Sequence, residues 1–184
     1  MSLRRPRLLL LSALSALTVA VAAPAGAAAA GCANVSASPS SVSSRTAVRT
    51  TVCLVNKERA AHGVRRVRLN RRLSRAAVRH GRDMVRRDYF SHVSPSGSTF
   101  LQRIRRTGYL RGARAWSAGE NLAWGSDEGA TPRSIVRAWM RSPGHRFNML
   151  DGSFREIGVA VVRGAPDGSG GPAATYVNAF GYRR

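Results

Sequence analysis

From Arg45 onward the apolar residues follow a helical rhythm. Val48, Val52, Val55 and Ala60 recur at helical spacing and Gly63 ends the run, which predicts a helix from Arg45 to Ala61. Asn70 suits the N-cap of a second helix, on which Leu73, Ala76, Ala77, His80 and Met84 form one stripe. His80 therefore points into the core. His62, beside Gly63, is expected to cap the end of the first helix in solvent. Ser98 can cap a short third helix through Leu101 and Ile104, stopped at Gly108. Thr131-Pro132 starts a fourth, with Ile135, Val136, Trp139 and Met140 on its apolar face and Ser142-Pro143-Gly144 as its stop. The rhythm then changes. Ile157–Val162 and Ala174–Tyr182 read as buried strands joined through the turn-rich stretch Gly164–Gly171. Helices come first and a short sheet is completed last, so the class is α+β in one domain without internal repeats.

The amino end reads differently. Arg4, Arg5 and Arg7 precede an apolar run from Leu8 to Ala23 and then Ala25-Gly26-Ala27. A positive region, a short apolar stretch and an A-x-A signal predict a secretory signal peptide over 1–27. A retained membrane anchor is the alternative, since the apolar run nearly spans a bilayer. Residues 28–44 form a Ser-rich linker, and the domain is expected over 45–184. Cys32 follows this boundary. A lipid-carrying cysteine would prefer a large aliphatic residue at the position of Ala29, so pairing with Cys53 in an oxidising compartment is the favoured reading. Extracellular secretion is the expected localisation, with lipid anchoring at Cys32 as the alternative.

Charge changes the picture less than its size suggests. The chain carries 30 Lys+Arg against 9 Asp+Glu, a formal net charge of +21, and Lys57 is its only lysine. Loss of Arg4, Arg5 and Arg7 with the signal lowers +21 to +18. The arginines are scattered from Arg45 to Arg184, which fits GC-rich codon usage as well as a selected surface. A nucleic-acid reader needs its basic residues gathered on one face with a docking element, so nucleic acid is not the expected physiological partner. Two cysteines exclude a dense disulfide scaffold and any four-cysteine metal site. No G-x-S-x-G elbow is present.

Three segments place histidine or glutamate beside glycine or proline: Phe90–Gly97, Gly119–Ala123 and Ser142–Leu150. They are read as loops, with Trp116 and Trp124 as candidate cleft walls beside the second. His92, Glu120 and His145 are ingredients of a divalent-metal site or an acid/base pair. They are equally the side chains that tie loops by hydrogen bonds, and no local H-E-x-x-H pattern separates the readings. Asn121, Arg146 and Asn148 are expected to fix loop backbones around the cleft. Glu156 is expected to pair with an arginine.

Taken in order, these segments resemble the CAP superfamily of cysteine-rich secretory, antigen 5 and pathogenesis-related proteins, in its bacterial secreted branch. The likeness is carried by Asn56-x-x-Arg59, His80-x-x-Asp83-Met84, Phe90-Ser-His-x-Ser-Pro-x-Gly97, Gly119-Glu-Asn-Leu-Ala123, Trp139-Met-x-Ser-Pro-Gly-His-Arg-x-Asn-x-Leu150, Phe154-x-Glu-Ile-Gly-Val159 and Phe180-Gly181. It runs from about Val48 to Tyr182. It implies a three-layer α–β–α sandwich on a short antiparallel sheet, with a cleft where His92, Glu120 and His145 match three metal-ligand positions. The fourth is absent in its usual form, because Ser142 stands where members with the full set carry glutamate. The resemblance implies an extracellular binding module, and the chain's cationic surface favours an anionic envelope polymer or lipid as the partner. Its rival is a metal-dependent hydrolase of peptide or phosphodiester bonds, since two histidines and a glutamate can hold zinc and an activated water.

Overall fold

Ser43 lies in extended conformation and its hydroxyl accepts the Thr46 N–H, which starts helix α1 at Ser44–Ala61. The computed structural model describes residues 31–184; the signal segment expected at 1–27 lies outside them. The short strand β1 (Arg68–Leu69) leads directly into Asn70, whose side chain accepts from Arg72 and Leu73 and opens helix α2 (Arg71–Arg86). Helix α3 (Phe100–Arg106) is capped by Thr99 in a capping box with Gln102, one residue later than the expected Ser98. Strand β2 (Trp116–Ser126) and a single 3-10 turn follow. Helices α4 (Pro132–Arg141) and α5 (Pro143–Leu150) come next, then strands β3 (Glu156–Arg163) and β4 (Ala173–Arg183).

Two expected loops are regular structure. Gly119–Ala123 lies at the centre of β2, paired residue for residue with β4. Its small residues suit a strand pressed beneath a helix: a Cβ on Gly119 would lie 2.9 Å from Asn148 Oδ1 and 3.1 Å from the Phe154 ring. Ser142–Leu150 ends α4 as expected, but the extended backbone of Ser142 places Pro143 at the first turn of a new helix.

The sheet order is β1-β3-β4-β2. It is mixed rather than purely antiparallel, because β1 runs parallel to β3 through Arg68↔Glu156 and Leu69↔Ile157. The pleat separates two cores. Ile157, Val159, Val161, Ala174, Tyr176 and Phe180 face α1, α4 and α5. Ala160, Val177, Ala179 and Leu122 face α2 and α3. This is the three-layer α–β–α sandwich. Trp139 is 1% exposed and donates its indole N–H to the Leu122 carbonyl at 3.0 Å, so it is a core residue. His80 is also buried, and its Nε2 donates to the Ser91 carbonyl at 2.9 Å. His62 is exposed at the end of α1, with Nδ1 2.8 Å from the Glu58 carbonyl.

Polar side chains hold the layers in register. Asn56 exchanges two bonds with the Val67 backbone, and the fully buried Arg59 donates to the carbonyls of Arg65, Met149, Asp151 and Phe154. Burial pulls the Arg59 pKa below its usual value. Glu156 accepts from Asn70 and from the Tyr109 hydroxyl, both at 2.7 Å, rather than from the expected arginine. The Ser-rich stretch is strapped down. Cys32 is bonded to Cys53, and the Arg163 guanidinium donates to the carbonyls of Pro39, Ser40 and Val42. A loop spanning 21 residues of separation gives the disulfide about 3 kcal/mol in the chain-entropy account. Among the described residues no helix is long and apolar enough to cross a membrane.

Helix α2 sits directly on β3 at Gly158, where an added Cβ would lie 2.1 Å from Leu73 C and 2.2 Å from Ser74 N. Both are backbone atoms and cannot rotate away. Gly158→Ala should therefore cost about 3 kcal/mol or more, read from urea unfolding. Gly144→Ala, with nothing within 4 Å, should leave stability unchanged or slightly raised. Equal effects from the two changes would refute the contact.

Candidate functional site

The register of β2 sends successive side chains to opposite layers. Glu120 turns toward α3 and Asn121 toward α5. Glu120 is held by two neighbours. The Nη2 of Arg103 lies 3.0 Å from both its carboxylate oxygens, and His92 Nδ1 donates to Oε1 at 2.9 Å. Arg103 comes from the inner face of α3 and also donates to the carbonyls of Ser98 (2.7 Å) and His92 (2.9 Å). The Glu120 and Arg103 side chains are 4% and 8% exposed, whereas that of His92 is 52% exposed. With Nδ1 donating to the carboxylate, His92 Nε2 has no protein hydrogen-bond partner among the described residues.

On the other face, Asn121 Nδ2 donates to the His145 carbonyl at 3.0 Å. Asn148 Nδ2 donates to Asn121 Oδ1 at 2.9 Å and to the Glu120 carbonyl at 3.3 Å. These two amides fix the start of α5 against β2. Arg146 does not share that role: it is exposed on α5 and its guanidinium bonds nothing among the described residues. His145 Nδ1 lies 2.9 Å from the Ser142 hydroxyl. Its pKa is lowered, chiefly by burial and secondarily by the nearby His92 charge. The two histidines thus approach the β2 margin from opposite layers.

As arranged, His92 and Glu120 are in direct contact, while the His145 ring is bonded to Ser142 rather than to either of them. Among the described residues no three His, Cys, Asp or Glu side chains gather closely enough to hold an ion. The Arg103 guanidinium already neutralises Glu120 across both oxygens, and a divalent cation there would meet a full positive charge. His92 and Glu120 instead form a carboxylate-oriented imidazole, the arrangement that fixes tautomer and ring direction. The candidate cleft walls also fall elsewhere. Trp116 is 42% exposed with the Arg105 guanidinium 5.8 Å above its ring, and Trp124 is half-buried.

Behind Arg103 lies a cleft of about 370 Å³ between α2, α3 and the Ser91–Ser98 loop. Arg79, Arg82, Arg86, Arg103 and Arg106 line it with the hydroxyls of Ser94, Ser96 and Ser98, against the single acid Asp83. Asp83 is engaged by Arg86 at 3.0 Å and by the Tyr89 hydroxyl at 2.6 Å, and Arg106 donates to Ser98 Oγ at 2.9 Å. The Arg79 and Arg82 guanidiniums form no hydrogen bond among the described residues. These arginines escaped the sequence reading, although Arg79, Arg82 and Arg86 repeat at helical spacing on α2. Arg103 had only a weak signal, a basic residue between Leu101 and Ile104 on an apolar face.

The family model described as CAP: Cysteine-rich secretory protein family matches residues 52–180, and the chain belongs to this family. It is 35% identical over 127 residues to the Bacillus subtilis (strain 168) protein YkwD, covering 69% of this chain and 46% of YkwD. It is 30% identical over 118 residues to the membrane protein YlbC of the same organism, covering 64% of this chain and 32% of YlbC. The chain therefore spans less than half of these relatives. A solved extracellular protein of Bacillus anthracis containing an SCP domain superposes with TM-score 0.61 at 26% identity, covering 74% of this chain and 40% of that one. An outer surface protein of Borrelia burgdorferi shares the fold at TM-score 0.62 and 17% identity, covering 78% of this chain and 97% of its own.

Two outcomes are expected. Arg103→Met strands a buried carboxylate and should cost about 3–5 kcal/mol in urea unfolding, with much of the loss restored by adding Glu120→Gln; additive losses would exclude the pairing. The second concerns pH. Burial lowers the folded pKa of His80, and His145 moves the same way. The unfolded chain then binds more protons in acid. Stability is complete above the unfolded value of about 6.5 and falls as pH drops toward the folded values. The melting temperature should decline from pH 7 to pH 5, and His80→Gln should flatten that slope.

Proposed function

We propose that the chain is an exported binding module of the cell envelope that takes an anionic, oxygen-rich ligand into the arginine-lined cleft. The observation that carries this reading is the gathering of Arg79, Arg82, Arg86, Arg103 and Arg106 around one cleft with three serine hydroxyls. Guanidinium forks match phosphate and carboxylate geometry, and hydroxyls complete the oxygen shell. Arg106 is steadied by its bond to the Ser98 hydroxyl, so less side-chain freedom remains to be lost on binding, while Arg103 anchors the wall of the cleft through Glu120 and the Ser98 carbonyl. About 370 Å³ suits one charged unit of a wall polymer or one lipid headgroup better than a duplex. The extracellular and outer-surface descriptions of similar proteins support an exported setting, as does the Cys32–Cys53 bond.

Binding to inorganic polyphosphate and to phosphatidylglycerol vesicles should weaken steeply with salt. A triple change of Arg79, Arg82 and Arg106 to serine should weaken it at least tenfold further than the charge-matched change of Arg66, Arg137 and Arg141 to serine on other surfaces. Equal losses from the two triples would reduce the interaction to net charge and sink the cleft. Preference between the two probes separates a phosphate polymer from a membrane headgroup.

A further inference from the structure

The two outer edges of the sheet are treated differently. At β2, the outward carbonyls of Glu120 and Leu122 are taken by Asn148 Nδ2 and the Trp139 indole. At β3, the strand β1 covers only Glu156 and Ile157, and the Asn70 N–H closes on the Ile157 carbonyl at 2.9 Å. Beyond that point the edge is bare. The Gly164 N–H donates to Ala173 on β4 at 2.8 Å, so by alternation Gly158, Ala160 and Val162 bond to β4. Val159, Val161 and Arg163 then turn their N–H and C=O groups outward. Among the described residues none of these groups has a hydrogen-bond partner.

This edge floors a groove of about 980 Å³ between α1 and α2. Val48 and Val78 line it, and Leu69 stands 48% exposed where β1 stops. Arg45, Arg49, Arg71, Arg82 and Arg163 surround it, and no acidic side chain lines it. Val159 is 2% exposed and Val161 5%, so the flanking side chains of the groove must swing aside for a strand to reach their unpaired backbone groups. Sheltered backbone polar groups are nearly always paired, which marks this edge as waiting for a partner.

We propose that the groove captures an extended acidic peptide segment, which adds to the β3 edge as a further strand. The occupant is peptide because only a polypeptide backbone offers donors and acceptors repeating every two residues, about 7 Å, in step with β3. It is acidic because Arg45, Arg49, Arg71 and Arg82 ring the groove and no carboxylate does, Arg163 being held by the carbonyls of Pro39, Ser40 and Val42. From Gly158 to Arg163 the edge runs about 20 Å, room for roughly six residues. A phosphate or a headgroup would meet the arginines and leave the edge unpaired. This surface is separate from the cleft above, and Arg82 alone lines both.

The test is a titration of the full chain with a peptide of about seven alternating Glu and Val residues, followed by amide NMR. Binding should shift the amide protons of Val159, Val161 and Arg163 and slow their exchange at least tenfold, with those of Gly158 and Ala160 little changed. N-methylation of the alternate peptide amides that face β3 should weaken binding at least tenfold, and methylation of the other set should not. Arg45→Glu with Arg49→Glu, both on the exposed face of α1, should weaken it similarly. The proposal fails if no binding is seen at millimolar peptide. It also fails if both N-methylated peptides bind like the parent, which would leave charge attraction alone. Shifts confined to Ser94 and Arg79 would assign the peptide to the cleft and overturn it as well.

Discussion

A carboxylate in the middle of β2, 4% exposed, is the constraint on which this end of the molecule turns. An isolated ionised carboxylate cannot stay in that position without a countercharge. Arg103 supplies it, and the same guanidinium reaches the backbone of Ser98 and His92. One side chain therefore neutralises Glu120, anchors α3 to β2, and pins both ends of the Ser91–Ser98 loop. Because the loop is pinned, His92 arrives with Nδ1 on Glu120 and its other nitrogen toward solvent. The same anchoring stiffens one wall of the arginine cleft. Remove the pair and these features lose their common support.

Arg59 solves a related problem on the opposite side of the sheet by other means. It has no carboxylate partner among the described residues and is fully buried, yet four backbone carbonyls surround its guanidinium. Those carbonyls come from the segment after α1 and from the end and exit of α5, where no further turn of helix exists to satisfy them. A buried cation thus closes a helix terminus and joins two layers through backbone dipoles. Asn121 and Asn148 do the equivalent work with neutral amides between β2 and α5. The sandwich depends on polar side chains aimed at backbone as much as on its two apolar cores.

Much of this was legible in the sequence. The 3.6-residue stripe of α2, its Asn70 cap, the Thr131-Pro132 start and the two closing strands are local signals, and each occurs where its pattern places it. The Cys32–Cys53 bond and the burial of His80 and Trp139 were legible for the same reason. Gly119–Ala123 was not, because its strand character comes from pairing with β4 across some sixty residues of chain rather than from its own small side chains. Helix α5 hid behind Ser142-Pro143-Gly144, which reads as a stop until proline is allowed its other role at a first helical turn. The candidate residues were found, and His92 meets Glu120 as Asn148 meets Asn121, but the division of the site between two layers was not. Spacing cannot tell that Glu120 and Asn121 face opposite layers, nor that an arginine from α3 reaches the carboxylate first.

The same lesson applies to charge. A formal +21 suggests a uniformly cationic surface, yet the arginines have separate tasks. Arg59 and Arg103 are internal fasteners. Arg155 and Arg163 spend their guanidiniums on backbone carbonyls of the chain's own turns. A group already bonded within the protein has less to offer a ligand, because its partner must be displaced first. Guanidiniums converge with few competing acids in the cleft around Arg79 and Arg82 and along the groove beside β3, which is why the two proposals place anionic partners there. The first presents side-chain donors around a small cavity and favours a compact anion. The second adds a row of backbone donors and acceptors and favours a strand. On the two proposals, similar basic linings would give two different selectivities, set by what lies between the arginines.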